Sequence, residues 1–157
     1  MPDPGELAQY ARDIAAARDR LVAFVHTCGD DDWTRAVIAG DPRPVGIVVD
    51  HVADAYEYGA GWIRQILAGN SPPLSAELVD ELNAGHAAVA IGLSRAQVVE
   101  HLTVSGDLMI ALVGGMRPEA LYLDDGRVRR LVEIAVRHAD NHRDEIEAGL
   151  AARPELA

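Results

Sequence analysis

Residues 129–150, RRLVEIAVRHADNHRDEIEAGL, decide the fold of this 157-residue chain, because one helical face of the stretch changes from apolar to polar. Steps of three and four residues return to the same side of an α-helix. One such stripe comprises Leu131, Ala135, His138, His142, Glu145 and Gly149. The neighbouring stripe stays apolar and comprises Val132, Ala139, Ile146 and Leu150. The histidines are therefore predicted to face a helical core rather than water.

His138 and His142 lie four residues apart, so their imidazoles stand on successive turns and can converge on one point beside the helix. Converging ring nitrogens are ligands that Zn²⁺ and similar ions take from proteins. Pairs with this spacing also arise by chance in helices, so the pair alone does not define a metal site. A third ligand from another helix is needed.

The net negative charge of the chain argues against nucleic acids as partners. Asp plus Glu number 25 against 14 Lys plus Arg, which gives a net charge of -11, and every basic residue is arginine. Such a chain repels phosphate backbones and has no basic run, so we predict no nucleic-acid binding. Alanine, valine and leucine dominate the apolar content and aromatic residues make up only 4%. This composition favours closely packed helices over sheets.

The cysteine content and the lack of long apolar runs indicate a cytoplasmic protein. Cys28 is the only cysteine, so no internal disulfide can form, as in proteins of reducing compartments. There is no continuous apolar run of membrane-spanning length and no basic start followed by an apolar run, so we predict no membrane partner and no signal peptide. We interpret Cys28 as a small apolar filler near a helix end rather than as a reactive thiol.

Two helices are predicted before residue 70. Apolar residues at helical spacing mark the first over residues 5–27, and a break rich in Gly, Asp and Pro follows. Trp33 in this break is predicted to plug one end of a bundle. The second helix is predicted to begin at Pro44, because a first turn tolerates proline, and to end at Gly69 before two prolines.

The chain after the second long helix is predicted to cross over as a short helix. Ser75 can cap a helix from Ala76 to about Ile91. Ser94 and Gln97 have the spacing of a capping box, which predicts the start of a third long helix. That helix is predicted to end at the glycine pair 114–115.

His51 on the second helix supplies the candidate third ligand. It lies at the edge of an apolar seam, and it approaches the histidine pair if the second and last helices pack together. Asp54 follows three residues later on the same side. His86 and His101 have no second histidine three or four residues away, so we assign both to surface or capping positions.

Two segments carry a resemblance to a known family: RPVGIVVDHVADAYEY at residues 43–58 and VRHADNHRDEIEAGL at residues 136–150. Together they resemble the DinB-like superfamily, whose pattern is one histidine with nearby acidic residues on the second helix and HxxxHxxxI on the last. The resemblance implies an all-α four-helix bundle, with a helical crossover between the second and third long helices, as one domain over residues 1–157. It also implies that His51, His138 and His142 are metal ligands.

Three imidazoles leave at least one coordination position of a divalent ion open, which is the composition of a catalytic site. We expect Zn²⁺, Ni²⁺ or Fe²⁺. Asp54 and Glu145 are the nearest acidic candidates to orient a ligand histidine or to move a proton. Both are also consistent with ordinary exposed helix charges, and many relatives of the resembled family carry glutamine where Glu145 stands.

The resemblance implies a metal-dependent thiol S-transferase or isomerase that uses a low-molecular-weight thiol such as mycothiol as its small-molecule partner. An arginine-only, alanine-rich composition is typical of high-GC genomes, which fits that thiol. Two alternatives remain. One is a non-catalytic dimeric stress-response or binding module with a structural metal or none, and the other is a hydrolase that acts through metal-bound water. Trp33 and Trp62 are expected to border the mouth of the site.

The small residues of the bundle and the pairing that is common in the resembled family predict a two-fold homodimer through helix faces. Light scattering should then give about twice the chain mass of 16.8 kDa at working concentrations. A mass near that of one chain would contradict the prediction.

Overall fold

The computed structural model describes residues 2–152, and these residues form helices and loops with no β-strand. The helices are α1 (Glu6–Thr27), α2 (Asp30–Trp33), α3 (Val45–Leu67), α4 (Ala76–Val89), α5 (Arg95–Gly115) and α6 (Leu123–Ala151), with a 3₁₀ turn at Pro118–Tyr122. Four of them are long, namely α1, α3, α5 and α6. The predicted all-α architecture is therefore confirmed.

The four long helices form a closed ring in which α1 and α3 each pack against both α5 and α6. Asp50 contacts His101, and Gly59 lies beside Met109, so α3 and α5 run in the same direction. Two consecutive parallel helices require the chain to return along the bundle between them. The α4 segment makes that return, which confirms the predicted crossover.

The core is built around α3, the most completely buried helix. Its inward residues are small or β-branched, and its buried set is Val45, Val48, Val49, Asp50, His51, Val52, Ala53, Tyr56, Gly59, Ala60, Ile63 and Ile66. Each fully buried valine or isoleucine contributes about 1.5–3 kcal/mol relative to an exposed one. Asp50 and His51 interrupt this apolar set at its centre, where a polar side chain needs a partner.

Capping signals place the helix starts as predicted. The Ser75 side chain accepts a hydrogen bond from the backbone N–H of Leu78, and Ser94 with Gln97 forms the reciprocal capping box. At the start of α6, residues 124–126 have left-handed backbone conformations, with φ values of 52°, 55° and 74°. Regular right-handed helix therefore begins after Gly126, close to the predicted start.

The predicted loop between α1 and α3 contains one helical turn, α2, which carries Trp33. The indole is buried, with 8% of its surface exposed, and packs against Gly46 at the start of α3. The Arg95 guanidinium also lies over the indole, 5.4 Å from the ring centroid. Trp33 therefore closes one end of the bundle, as predicted for a plug.

Helix α5 is the one described helix with the length and apolar content of a membrane span, at 21 residues and a mean hydropathy of 1.3. It packs against α1 and α3 and carries the buried Ser105, and core helices of bundles meet the same criterion. The described residues therefore give no clear sign of a membrane protein.

The loop before α3 crosses α6 at Gly149. A Cβ placed on this glycine would lie far inside the normal contact distance from the carbonyl oxygen of Val37. The absence of a side chain therefore lets the loop backbone rest on the helix. This contact fixes the segment that leads to Arg43 and α3.

We expect Gly149→Ala to lower the free energy of unfolding by about 1–3 kcal/mol, because the loop backbone at Val37 must move away. In Gly61→Ala, the control within α3, the added methyl meets nothing within 4 Å. The free energy of unfolding of that variant should be unchanged or higher by up to about 1 kcal/mol, since alanine is the better helix former. Urea unfolding followed by circular dichroism measures both, and equal stabilities would contradict the close approach.

Candidate metal centre

Three histidines from two antiparallel helices meet at the centre of the bundle. His51 on α3 places its Nε2 at 3.1 Å from Nε2 of His138 on α6. Ring centroids are 4.9 Å apart for His51 and His138, 5.3 Å for His51 and His142, and 4.5 Å for His138 and His142. One candidate ligand atom from each residue lies within 4.8 Å of the others.

Burial keeps these three imidazoles neutral. It lowers the pKa of His51 to about 3, and repulsion from the other two histidines and Arg43 adds to the effect. Burial likewise lowers the pKa of His138 to about 4, with further contributions from His142 and Arg43. The pKa of His142 is also lowered by burial, against an opposing pull from Glu145. Each neutral ring carries one nitrogen lone pair at physiological pH, and a metal ion would replace the hydrogen bond that joins the Nε2 atoms of His51 and His138.

The spacing of the His51 and His138 nitrogens fits a shared divalent ion, and the third candidate ligand atom lies within 4.8 Å of both. Zinc–imidazole bonds of about 2.0–2.1 Å in a tetrahedron place two ligand nitrogens about 3.3 Å apart. The observed separation of 3.1 Å between the His51 and His138 nitrogens is close to that value. Three nitrogen donors suit zinc, nickel or iron better than calcium or magnesium, which take oxygen ligands. The cluster can therefore hold a metal ion.

The predicted acidic partners differ in their placement. Glu145 Oε2 lies 3.3 Å from His142 Nδ1, in the position of a carboxylate that orients a ligand histidine through its second nitrogen. Asp54 makes no hydrogen bond to a clustered histidine within residues 2–152, and burial raises its pKa. His51 Nδ1 is buried and has no hydrogen-bond partner in that range. The roles of Asp54 and Glu145 remain predictions.

A second buried polar group, which the sequence analysis missed, lies on the other side of α3. Asp50 accepts one bond of 2.7 Å from His86 on α4 and another of 2.7 Å from His101 on α5. His101 Nε2 lies 2.9 Å from Glu57, which also accepts a bond of 2.9 Å from the Ser105 hydroxyl. We call these five residues the Asp50 network.

The assignment of His86 and His101 to surface or capping positions was wrong. His86 is 6% exposed, and the His101 side chain is 29% exposed and bonded at both ring nitrogens. Their partners are acidic side chains on α3, so the search for a second histidine nearby in sequence could not find them. The one sequence feature that pointed to these partners is the seven-residue spacing of Asp50 and Glu57, which puts two acids on one face of α3.

Charge pairing holds the Asp50 network in its ionised form. Burial alone would raise the pKa of Asp50, but hydrogen bonds from His101 and His86 outweigh it and lower the value to about 2. The hydrogen bond to Asp50 in turn raises the pKa of His101 to about 9. His101 is therefore an imidazolium at pH 7, in contrast to the neutral histidine cluster.

Arg43, just before α3, directs positive charge at the histidine cluster. Asp41 fixes its guanidinium through bonds of 3.0 and 2.7 Å, and the two side chains are only 21% and 19% exposed. The remaining nitrogen, Nη1, is buried without a hydrogen-bond partner among residues 2–152. This orphaned donor is available to an anionic group at the site.

A cavity of about 200 Å³ extends from the cluster along the bundle. His51 and His138 form one end, and side chains from α3, α4, α5 and α6 form the walls. Trp62 lines this cavity and Trp33 does not. The Trp33 indole packs against Gly46 at the start of α3 instead. That the Trp62 face and the loop around Trp33 border the mouth of the site stays a prediction.

Cys28 lies outside the cavity, at the end of α1. It is 8% exposed, and burial raises the pKa of its thiol, so the reactive thiolate is disfavoured. This environment supports the interpretation of Cys28 as a small apolar filler.

Comparison with known proteins places this arrangement in a family. The family model described as the DinB superfamily matches residues 13–146, a range that includes all three clustered histidines. No curated protein and no solved structure matches the chain significantly.

We expect the Asp50 network to give a defined pH dependence of stability. The folded pKa of His101, about 9, exceeds its ordinary value of 6.5, so its stabilising contribution is complete below pH 6.5 and is lost as the pH rises through about 9. The difference in unfolding free energy between the wild type and His101→Gln should follow that course in urea unfolding. The exposed His26→Gln on α1 is the control. A difference that does not vary with pH would contradict the charged network.

Proposed function

Since the chain belongs to the DinB superfamily, we propose that it is a divalent-metal-dependent enzyme that transfers a low-molecular-weight thiol of the mycothiol type to an electrophilic small molecule. The observation that carries this proposal is the convergence of three neutral imidazoles from α3 and α6. A closed structural site uses four protein ligands, whereas a three-ligand site leaves room for a reactant.

His51, His138 and His142 would hold the ion through one ring nitrogen each. When bound, a divalent ion supplies Lewis acidity, which lowers the pKa of a coordinated thiol and keeps its sulfur nucleophilic at neutral pH. In the transfer, the thiol loses its proton, the sulfur forms a bond to an electrophilic carbon, and the leaving group departs with its electron pair. An isomerase would instead add the thiol to a conjugated double bond and later release it.

The residues around the cluster support this chemistry. Glu145 is placed to hold His142 in one orientation through Nδ1, and its half-exposed carboxylate can exchange protons with water. The Nη1–H of Arg43, which has no hydrogen-bond partner among residues 2–152, can donate to the anionic thiolate or to the substrate. Asp54 is partly buried, burial raises its pKa, and we propose it as a secondary proton carrier.

The absence of lysine and the abundance of alanine support mycothiol as the thiol, through the composition expected of a high-GC genome. The reactive cysteine of many thiol-transfer enzymes has no equivalent here, because the only cysteine, Cys28, is buried at the bundle end. The proposed nucleophile is therefore the small thiol and not a side chain.

We expect the purified protein to bind one Zn²⁺, Ni²⁺ or Fe²⁺ ion per chain. His142→Ala should weaken binding by more than about 100-fold, since even outer-shell partners of a metal site account for 10–100-fold. Its circular dichroism should stay close to that of the wild type, because His142 is not part of the apolar core. Elemental analysis and metal titration measure the binding. His26→Ala, at an exposed position on α1, is the matched control and should bind like the wild type.

Activity is tested with the protein loaded with each metal in turn, mycothiol and a panel of electrophiles, by following free thiol and the mass of the S-conjugate. We expect conjugate from the loaded wild type and none from His142→Ala. Equal rates from the two would overturn the proposal. Hydrolysis without thiol consumption would identify the metal-dependent hydrolase instead. Metal binding with no reaction across the panel would favour the non-catalytic binding module.

A further inference from the structure

The cavity beside the histidine cluster is lined mainly by apolar side chains and carries no formal charge on its described walls. Its volume is about 200 Å³, and its walls include Trp62, Leu131 and Met109. No Asp, Glu, Lys or Arg is among the described residues that line it. A ligand in this space can gain dispersion contacts and bury apolar surface, but it finds no counter-charge.

Arg43 and Glu145, the charged side chains that flank the three histidines, lie at the opposite end of the cluster, and Asp54, although it follows His51 along α3, does not line the cavity. Ala55 and Trp62 follow His51 along α3 by about 6 and 16 Å, at 1.5 Å per residue. Arg43 precedes α3, and Glu145 lies beyond His142 on the antiparallel α6, so both lie on the other side of the three rings. The histidines therefore separate an apolar compartment from a charged one.

Helix α4 supplies one wall of the apolar compartment through Val79, Leu82 and Asn83. Val79 is 40% exposed, and Ile134 on the facing α6 is 49% exposed, so these two form the rim. The Asn83 amide makes no side-chain hydrogen bond within residues 2–152, and the hydroxyl of Tyr56, which also lines the cavity, is buried without a hydrogen-bond partner in that range, so neutral polar groups are left for a ligand. Entry between α4 and α6 would bring a small molecule past the rim towards His51 and His138.

We propose that this cavity binds an uncharged, largely apolar molecule about the size of a six-membered carbon ring with a short substituent, whose functional group faces His51 and His138. A dry cavity of roughly 150 Å³ accommodates benzene, so the present one has room for a ring and a substituent. A charged group would lose its hydration here without gaining a partner. One part of this inference rests on the proposed function, namely that the molecule in the cavity is the electrophile. The thiol would then reach it from the side of Arg43 and Glu145.

The test uses three probes of the same shape and different charge: cyclohexylmethanol, cyclohexanecarboxylate and cyclohexylmethylammonium. The full-length protein is kept metal-free with a chelator, so that the carboxylate cannot bind through an ion. Trp62 fluorescence and titration calorimetry report binding. We expect the alcohol to bind at least about ten-fold more tightly than either charged probe, because a buried unpaired charge costs more than the 1.4 kcal/mol that corresponds to ten-fold.

Two filling variants locate the bound probe. Ala55→Leu and Ala135→Leu each add three carbons to a wall of the cavity and should weaken alcohol binding at least about ten-fold. Ala84→Leu makes the same change at an exposed position on α4 outside the cavity and should bind like the wild type. Circular dichroism confirms that each variant is folded, and two independent filling positions keep the test decisive if one does not fold.

The proposal is overturned if the carboxylate or the ammonium probe binds as tightly as the alcohol, if no probe binds, or if both folded filling variants bind the alcohol like the wild type. None of these results depends on metal or thiol. Binding of the alcohol together with failure of the thiol-transfer assay would overturn the proposed function alone. Thiol transfer restricted to charged electrophiles would overturn the inference alone.

Discussion

The packing of α3 against α6 is the contact on which the rest of the structure depends. At this contact two imidazoles meet in a place where a helical core normally has apolar side chains. His51 and His138 face each other across 3.1 Å in a core whose buried residues are mostly apolar. Neutral rings can occupy such a position, whereas two imidazolium ions would repel each other with little solvent to screen them. Burial therefore selects the protonation state that a metal requires.

Helix α3 carries two adjacent buried polar residues that lie in different electrostatic environments. His51 turns towards α6 and a neutral cluster, and Asp50 turns towards α4 and α5 and an ionised network. The two differ because a carboxylate with two histidine partners gains enough from hydrogen bonds and charge to stay ionised, whereas histidines surrounded by one another do not. The Asp50 network also joins the crossover helix to the bundle, and α4 forms one wall of the cavity beside His51.

The directions of the helices explain how one short bundle provides two compartments. Antiparallel packing of α3 and α6 aligns the charged residues near the start of α3 with those near the end of α6. The same packing brings cavity-lining residues of the second half of α3, such as Ala55 and Trp62, beside those of the first half of α6, such as Leu131 and Ala135. The histidines lie where these regions meet, so a polar reactant and an apolar one can reach the same three nitrogens from different sides.

The sequence by itself determined the four long helices, the crossover, the capping residues at Ser75 and Ser94, and the clustering of His51, His138 and His142. These features follow from local periodicity or from a family pattern, and each was visible in one or two short segments. Only the tertiary structure decided the partners of His86 and His101, the orphaned donor of Arg43 and the apolar cavity. Those features arise between helices that are distant in sequence. The helical periodicity of one segment does not predict which side chains of another segment it will contact. Isolated histidines were therefore misassigned to the surface, because their burial depends on Asp50, a carboxylate from another helix.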